Sequence, residues 1–518
     1  MKTCVTEPRI AGASDPLTVF ASRPMLVLLA LTLVALAARA VQFGNPVIQI
    51  DDQFYLLVGD RMWHGALPYV DIWDRKPIGL FLIYWAIRAL PGDGVIASQL
   101  VATAFAIATA FVIWRIARRI ADPRGALAAA IVYLLFLGMF GGDGGQSPVF
   151  YNLFVALAAL CVIRAIERAS FDTAASGWVA LATTLMGVAM QVKYTAMFEG
   201  AYFGLAMMWR MQRQGLGAPR ILFNAAIWLL LALLPTALGW LAYWSIGQGG
   251  AFAYANFASI FLREREGAMI VLGRLLGTIG KLVPLLIAVA LAGRPPPSLG
   301  QGYQADGPAE WRFIIGWAVA AVLGYLVFGS YFDHYTLPLL VPLSICAAPA
   351  FGRDGAVLAI LWRSRRYAVP FAAFVMLFGI GITIGTIDRN RRVRGHGVAI
   401  DQMAAFIRPR LTNCLFVYDG EPALYRLTGS CLPTRWVFPD HLNSKREKDA
   451  VGVDTLAETQ RIMAGRPSIV VSAERPETKM NWATWNFMEA VLKRDYVPLR
   501  EWRIGNGFRV VYGRKPGT

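Results

Sequence analysis

Long apolar runs separated by short polar segments make up most of the chain before residue 387. A membrane-spanning helix needs about 20 mostly apolar residues, and several of these runs reach or approach that length. The pattern predicts a mostly α, polytopic membrane protein with about eleven transmembrane helices. The predicted spans are 25–43, 96–117, 125–140, 149–165, 176–191, 196–210, 221–246, 269–292, 313–329, 336–351 and 368–386.

One further apolar run, residues 77–88, is too short to cross a bilayer and is rich in aromatic residues. We predict that it lies in the membrane interface as a helix. With this assignment and a cytoplasmic N-terminus, the predicted inside loops are all basic, as the positive-inside rule requires. Counting 77–88 as a span would instead place Arg118 and Arg119 outside. The first span is expected to act as an uncleaved signal anchor.

The last segment, residues 387–518, has an ordinary polar content. Short runs rich in β-branched and aromatic residues predict strands, and helical spacing of apolar residues predicts helices between them. The predicted strands are 415–418, 468–471 and 508–512, and the predicted helices are 398–407, 454–463 and 482–493. We therefore divide the chain into a transmembrane domain, 1–386, whose first external loop is 44–94, and a small external α/β domain, 387–518.

Composition supports the membrane assignment, since 56% of residues are hydrophobic and only 16% are charged. A net charge of +17 would suggest nucleic acid in a soluble protein. Here many of the bases lie in short inside loops, where they set topology, and we exclude nucleic acid as a partner. Cys414 and Cys431 are the only cysteines of the last segment. They are a candidate disulfide if that segment faces an oxidising compartment, and two buried thiols are the alternative.

The first external loop is unusually acidic for a segment beside the membrane. Charge near lipid is costly, so acids gathered there call for a reason. The loop contains Asp51, Asp52, Asp60, Asp71 and Asp74. Lys76 follows them at the start of the interfacial helix, where free backbone N–H groups favour an anion. The pattern indicates a catalytic carboxylate beside a cation that holds phosphate, and the alternative is a solvated loop that merely satisfies topology.

The other predicted external loops place further polar residues on the same face. These residues are Asp143, Gln146, Lys193, Tyr194, Arg263, Arg265, His334 and Tyr335. Each has a simpler interpretation: a turn residue for Asp143, a snorkelling lysine for Lys193, a self-paired solvated turn for 263–266, and an interfacial cap for His334. Together they would suit a lipid phosphate and a hydroxyl that loses its proton. No residues with the spacing of a metal site stand out.

Three stretches of the first loop carry a resemblance to a known family. They are Asp51-Asp52-Gln53-Phe54-Tyr55, Gly65-Ala66-Leu67-Pro68-Tyr69-Val70-Asp71 and Lys76-Pro77. This pattern resembles the C-type membrane glycosyltransferases, in the branch of protein O-mannosyltransferases, lipid A aminoarabinose transferases and bacterial galacturonosyl and mannosyl transferases. The turn from Asp333 to Pro338 is similar to their late His-Tyr loop. Asp52 stands where many relatives carry Glu, and Gln146 where relatives often carry an acid.

The resemblance implies inverting transfer of a sugar from a polyprenyl-phosphate carrier to an acceptor hydroxyl on a lipid, glycan or protein. It implies work at the periplasmic face of a bacterial inner membrane, in contact with membrane lipids and without a nucleotide cofactor. Asp51 would be the base and Asp52 its positioning neighbour. Lys76 and Lys193 would hold the phosphate.

The remaining site residues have assisting roles in this interpretation. Arg263, Arg265 and His334 would help to hold the phosphate. Asp143 and Gln146 would orient Asp51 or hold a divalent cation. The aromatic members of the expected substrate-binding set are Tyr55, Tyr194 and Tyr335.

A transporter or flippase of lipid-linked sugars is the alternative function. Transporters of that kind place functional charges near the bilayer midplane and repeat broken helices in two halves. This sequence gathers its unusual polar residues at one face and shows no repeat.

Overall fold

The computed structural model of the protein describes residues 16–293, 307–352, 367–476 and 479–517. Of the predicted inside loops, residues 294–306 of the loop 294–312 and the whole loop 353–366 lie outside these ranges. Fifteen helices of the described part belong to the membrane domain. They are α1 (Pro16–Ser22), α2 (Pro24–Arg39), α3 (Ile50–Met62), α4 (Ile78–Arg88), α5 (Val95–Ala117), α6 (Pro123–Leu137), α7 (Ser147–Ile166), α8 (Thr173–Val192), α9 (Met197–Arg213), α10 (Ala218–Ser245), α11 (Gly249–Ala253), α12 (Ala268–Ala292), α13 (Gly307–Phe328), α14 (Leu340–Phe351) and α15 (Ala368–Arg394).

Ten helical segments in the described ranges are long and apolar enough to cross a membrane, which confirms the predicted polytopic fold. The eleventh predicted span, 196–210, corresponds to α9, a helix of 17 residues that packs against α13. The predicted interfacial segment is α4, with only 11 residues. At 1.5 Å per residue α4 is about 16 Å long, roughly half the thickness of the hydrocarbon core.

The C-terminal segment forms the predicted α/β domain around a four-stranded sheet. Strand order is β1-β2-β4-β3, with β1 parallel to β2 and the other pairs antiparallel. Strand β3 was absent from the sequence prediction, because its side chains are mostly exposed and it contains Pro498, as an edge strand can. The elements are α16 (Gly397–Ile407), β1 (Leu415–Val417), α17 (Ala423–Thr428), α18 (Asp440–Asn443), α19 (Thr455–Ala464), β2 (Ile469–Ala473), α20 (Trp482–Asp495), β3 (Tyr496–Ile504) and β4 (Gly507–Arg514).

Two features connect the C-terminal domain to the rest of the chain and to itself. Helix α15 continues beyond residue 386 to Arg394, and α16 begins three residues later. Cys414 and Cys431 are joined by a disulfide, so the structure selects the first of the two alternatives for these thiols. The disulfide ties the start of β1 to the segment that follows α17.

The C-terminal domain packs on the first external loop. The backbone N–H of Trp73 donates to the carbonyl of Arg435 at 2.8 Å. Gln53, on α3, donates from Nε2 to Glu421 at 2.6 Å. The loop and the C-terminal domain therefore form one continuous surface over this end of the membrane domain.

A second contact joins the C-terminal domain to residues 263–266, here called the strap, which follow a π-helical turn and a 3₁₀ turn. The strap alternates Arg-Glu-Arg-Glu, and it faces a basic and acidic run at residues 445–447. Glu264 pairs with Lys445 at 2.9 Å, and Glu266 pairs with Arg446 at 3.3 Å. The strap is thus paired mainly with the C-terminal domain, rather than with itself as the simpler interpretation supposed.

Candidate active site

A cavity of about 1120 Å³ lies between the membrane domain and the C-terminal domain. Its walls come from all five of the predicted external loops and from residues 438–447 of the C-terminal domain. Eight of the residues predicted from the sequence line it: Asp51, Lys76, Gln146, Lys193, Tyr194, Arg263, His334 and Tyr335. Among these eight residues, the largest separation in the sequence is the 284 positions between Asp51 and Tyr335, and both meet at one end of the membrane domain.

Asp51 lies in the first turn of α3, with its carboxylate at the cavity wall. The side-chain amide of Gln146 donates to Asp51 Oδ2 at 3.2 Å. Burial alone would raise the pKa of Asp51, but the positive charges of Lys76 and His334 and the Gln146 hydrogen bond outweigh it. The pKa of Asp51 is therefore lowered, and its side chain is a carboxylate at neutral pH.

Asp52 points away from the cavity into a buried turn, here called the glycine loop (residues 141–146). The backbone N–H of Gly145 donates to Asp52 Oδ2 at 2.7 Å. A Cβ atom on Gly144 would lie 2.1 Å from the same oxygen, so only glycine permits this approach. Burial raises the pKa of Asp52 well above its usual range, against the Gly145 hydrogen bond, and the nearby charge of Asp51 adds to the rise. The two neighbouring acids thus have different protonation preferences.

Two lysines face Asp51 across the cavity. Lys76 Nζ lies 5.5 Å from the ring centroid of Tyr55, and Lys193 Nζ lies 4.0 Å from that of Tyr335. Both are cation–π contacts, which leave the ammonium hydrogens able to bind an anion. Burial and the nearby charge of Lys76 lower the pKa of Lys193 to about 7, although Asp51 opposes the shift. The positive charges of Lys76 and Lys193 repel each other, and this repulsion favours the binding of an anion between them.

A buried ion triad closes the cavity beneath the C-terminal domain. Glu447, only 3% exposed, accepts from Arg75 at 2.5 Å and also from Arg263 of the strap. Burial opposes ionisation of Glu447, but Arg75 and Arg263 together lower its pKa to about 2. Next to this triad, burial and the charge of Arg75 lower the pKa of His441 to about 3, so this histidine is neutral.

The cavity continues from this polar end into an apolar groove between α8, α9 and α10. Gly200 and Gly204 of α9 leave space there, and a Cβ atom on Gly204 would meet nothing within 4 Å. A long apolar chain fits such a groove, whereas a polar substrate would leave its groups without partners. The apolar lining consists of Met186, Met190, Gly200, Ala201, Gly204, Leu205, Met208, Ala225, Trp228, Leu229, Ala232 and Leu233.

Four residues of the predicted set lie outside the cavity lining. Asp52 and Asp143 pack around the glycine loop, where Gln42 donates to Asp143 Oδ2 at 2.7 Å. Tyr55 is buried beneath Lys76. Arg265 is exposed on the strap. Across the described ranges, no three His, Cys, Asp or Glu side chains are placed to hold a metal ion.

Sequence reasoning missed the contribution of the C-terminal domain to the cavity. Asp440, His441 and Glu447 line it from above, although they lie more than 340 positions from the first loop. Arg75 was also missed, despite being next to Lys76 in the sequence. The alternating charges of the strap were the available signal for Glu447, because such a run can pair with a complementary one elsewhere.

Comparison with known proteins supports the resemblance noted for the first loop. Residues 75–240 match the family model described as dolichyl-phosphate-mannose-protein mannosyltransferase. This stretch includes Lys76, Gln146 and Lys193 but begins after Asp51. Comparison with curated protein sequences finds no match.

Solved structures are similar over nearly the whole chain. ArnT from Cupriavidus metallidurans bound to undecaprenyl phosphate aligns at 15% identity and a TM-score of 0.62, over 95% of this chain and 98% of that one. The apo form of the same protein aligns at 16% identity and a TM-score of 0.62, over 94% of this chain and 97% of that one. The Archaeoglobus fulgidus oligosaccharyltransferase in the apo form aligns at 12% identity and a TM-score of 0.50, over 87% of this chain and 69% of that one. The chain therefore has the fold of the C-type membrane glycosyltransferases that its first loop resembles.

Proposed function

We propose that the protein is a membrane glycosyltransferase that moves a sugar from a polyprenyl-phosphate carrier to an acceptor hydroxyl, with inversion. The observation that carries the proposal is the single cavity in which Asp51 faces Lys76 and Lys193. The same cavity runs on into an apolar groove. A base, a phosphate site and a lipid groove in continuity are the parts that this reaction needs.

In the proposed reaction, the acceptor oxygen attacks the anomeric carbon as Asp51 takes its proton. The bond from that carbon to the phosphate oxygen breaks, and the carrier leaves as a polyprenyl phosphate with one more negative charge. Lys76 and Lys193 stabilise this charge as it develops, which lowers the barrier of the transfer step. Attack from the side opposite the phosphate inverts the sugar carbon.

The charges of the site suggest how donor binding prepares the base. Without a donor, the surrounding cations, Lys76 foremost, hold the pKa of Asp51 below its usual value. A bound donor phosphate competes for these cations, so the basicity of Asp51 rises when the donor is present. A general base is most effective when its pKa approaches the working pH. The arrangement thus favours proton removal in the loaded enzyme.

The groove between α8, α9 and α10 is the proposed site of the polyprenyl tail. An isoprenoid chain is apolar throughout, and burying it against Met, Leu and Trp side chains contributes about 25 cal/mol for each Å² removed from water. ArnT, whose fold this chain shares, has been solved bound to undecaprenyl phosphate. The likeness supports a carrier of this class for the present chain.

We place the cavity and the C-terminal domain, residues 387–518, on the periplasmic face of a bacterial inner membrane. The basic inside loops of the transmembrane domain, 1–386, support this orientation. The disulfide between Cys414 and Cys431 supports it independently, since disulfides persist in oxidising compartments.

The test compares membranes that contain the wild-type protein with membranes that contain Asp51→Asn. Labelled sugar on polyprenyl phosphate is supplied, and label in the acceptor fraction is measured. General-base catalysis typically contributes 10²–10⁴-fold, so transfer should fall by about that factor. Wild-type transfer by the variant would contradict the proposed reaction.

A further inference from the structure

A buried arginine at the end of the first span has no part in the reaction proposed above. Arg39 is the last residue of α2 and is only 3% exposed. Its guanidinium donates to three consecutive backbone carbonyls of the glycine loop: to Gly142 at 2.5 Å, to Asp143 at 3.1 Å and to Gly144 at 3.5 Å. A planar group with several fixed donors suits this task better than any other side chain.

The glycine loop depends on such donors because it is buried along its whole length. Buried carbonyl groups need hydrogen-bond partners, and a loop has no regular ladder to supply them. Tyr84 donates from Oη to the next carbonyl, that of Gly145, at 2.8 Å. The carbonyl of Gln146 accepts from the backbone N–H of Val149 at 2.9 Å. Every carbonyl from 142 to 146 is thus satisfied, three of them by Arg39.

The opposite side of the same loop holds Asp51 and Asp52 of the first external loop. Gly145 donates to Asp52 through its backbone N–H, and Gln146 donates to Asp51 through its side chain. Because Gly144 lies so close to Asp52 that a Cβ atom there would clash with its carboxylate, a shift of the loop moves these contacts. The position of the loop therefore sets the position of the Asp51 carboxylate.

Asp143, which the sequence places among the substrate-binding residues, contacts Gln42 and Arg39 instead. Its carboxylate accepts from Gln42, and its charge attracts the guanidinium of Arg39. Asp143 thus supplies the negative charge that a buried arginine requires.

We propose that Arg39 is a positioning residue for the transfer reaction, which acts by holding the glycine loop at the level where Gln146 orients Asp51. The proposal rests on the proposed function, because it concerns the base of that reaction. Arg39 touches neither the donor site at Lys76 and Lys193 nor the apolar groove. Its loss should therefore impair the chemical step and leave donor binding nearly unchanged.

The experiment compares Arg39→Gln and Arg39→Lys with a control arginine. The control is Arg119→Gln, which breaks the ion pair with Glu167 at the end of the membrane domain that the basic inside loops occupy. In Arg39→Gln, kcat should fall about 10²-fold, as expected when a catalytic group is displaced by about 1 Å. The donor KM should stay within about twofold of wild type. Arg39→Lys should lie between, because one nitrogen cannot reach all three carbonyls.

A second readout needs no substrate. Hydrogen exchange of peptides covering residues 141–147 should become faster in purified Arg39→Gln and stay unchanged in Arg119→Gln. A merely structural role would lower kcat equally in both variants. The proposal would be overturned by an equal fall of kcat in the two variants. It would also be overturned if Arg39→Gln left either kcat or the loop exchange unchanged.

Poor accumulation of Arg39→Gln and failure of the proposed function are distinguished from failure of the Arg39 proposal. If Arg39→Gln fails to accumulate in membranes, Arg39→Lys carries the test, and unchanged kcat with unchanged loop exchange then overturns the proposal. Failure of the proposed function would appear elsewhere, as wild-type transfer by Asp51→Asn. The loop-exchange measurement does not depend on that activity, so the two failures are distinguishable.

Discussion

Lys193 gives the proposed donor site a pH dependence that can be measured. Its pKa is lowered to about 7, first by burial and then by the charge of Lys76. Below pH 7 the side chain is an ammonium ion, and above pH 7 it becomes a neutral amine. The sugar phosphodiester of the donor keeps its single negative charge across this range. Donor affinity should therefore fall as the pH rises through about 7.

The magnitude follows from the charged fraction of Lys193. A base with a pKa of about 7 is roughly nine-tenths charged at pH 6 and roughly one-tenth charged at pH 8. When only the charged form binds the donor, the apparent dissociation constant scales inversely with that fraction. The donor KM should rise about tenfold between pH 6 and pH 8.

The assay measures the donor KM at pH 6, 7 and 8, at constant ionic strength, in membranes that contain each variant. Lys193→Arg should abolish the rise, because a guanidinium stays charged throughout. The matched control is Lys281→Arg, since neither Lys281 nor its partner Asp333 lines the cavity, and its replacement should keep the rise. His334 also lines the cavity, and the comparison of the two variants separates its effect from that of Lys193. A flat wild-type profile, or a rise that persists in Lys193→Arg, would refute the reasoning.

Two further predictions concern the groove and the ion triad. Gly204→Leu fills the groove and should raise the KM for a long polyprenyl donor about tenfold, since overpacking costs about 1–3 kcal/mol. The KM for a short-chain donor should rise less. The control Gly277→Leu, on α12 and outside the cavity lining, should change the KM of neither donor. Equal effects of Gly204→Leu and Gly277→Leu would contradict the groove assignment. Glu447→Gln leaves two arginines without their buried partner and should destabilise the docked C-terminal domain by about 3 kcal/mol at neutral pH. Because the pKa of Glu447 is lowered from 4.5 to about 2, its stabilisation is present above pH 4.5 and is lost as the pH falls towards 2. Thermal unfolding should therefore show the stability of Glu447→Gln approaching that of wild type over this window. A stability difference that stays constant with pH would contradict the prediction.

Much of the fold could be predicted because the membrane imposes simple rules. Apolar length predicts spans, and the basic loops select one orientation from two. Helix α4 illustrates the benefit, since treating 77–88 as interfacial kept the acidic loop and the later external loops on one face. Strand β3 shows the limit, because an exposed edge strand lacks the alternation that marks a half-buried one.

The candidate site was predictable in part for a similar reason. Asp51, Lys76 and Lys193 are charged residues beside apolar segments, where the cost of charge makes them conspicuous. Glu447 lies in an ordinary polar domain, where an acid attracts no notice until its partners are known. Arg39 lies near the outer end of the predicted first span, 25–43, where the sequence alone shows no partner for it. Only the packed structure shows that its guanidinium reaches the glycine loop.

The central claim is that Asp51 is the base of sugar transfer and Lys76 part of the phosphate site. The most direct measurement is the steady-state transfer of labelled sugar from polyprenyl phosphate to the acceptor fraction, for Asp51→Asn, Asp52→Asn and Lys76→Ala. We predict that Asp51→Asn lowers kcat about 10²–10⁴-fold, more than Asp52→Asn does. Lys76→Ala should also raise the donor KM. Wild-type kcat in Asp51→Asn, or an unchanged donor KM in Lys76→Ala, would contradict the account.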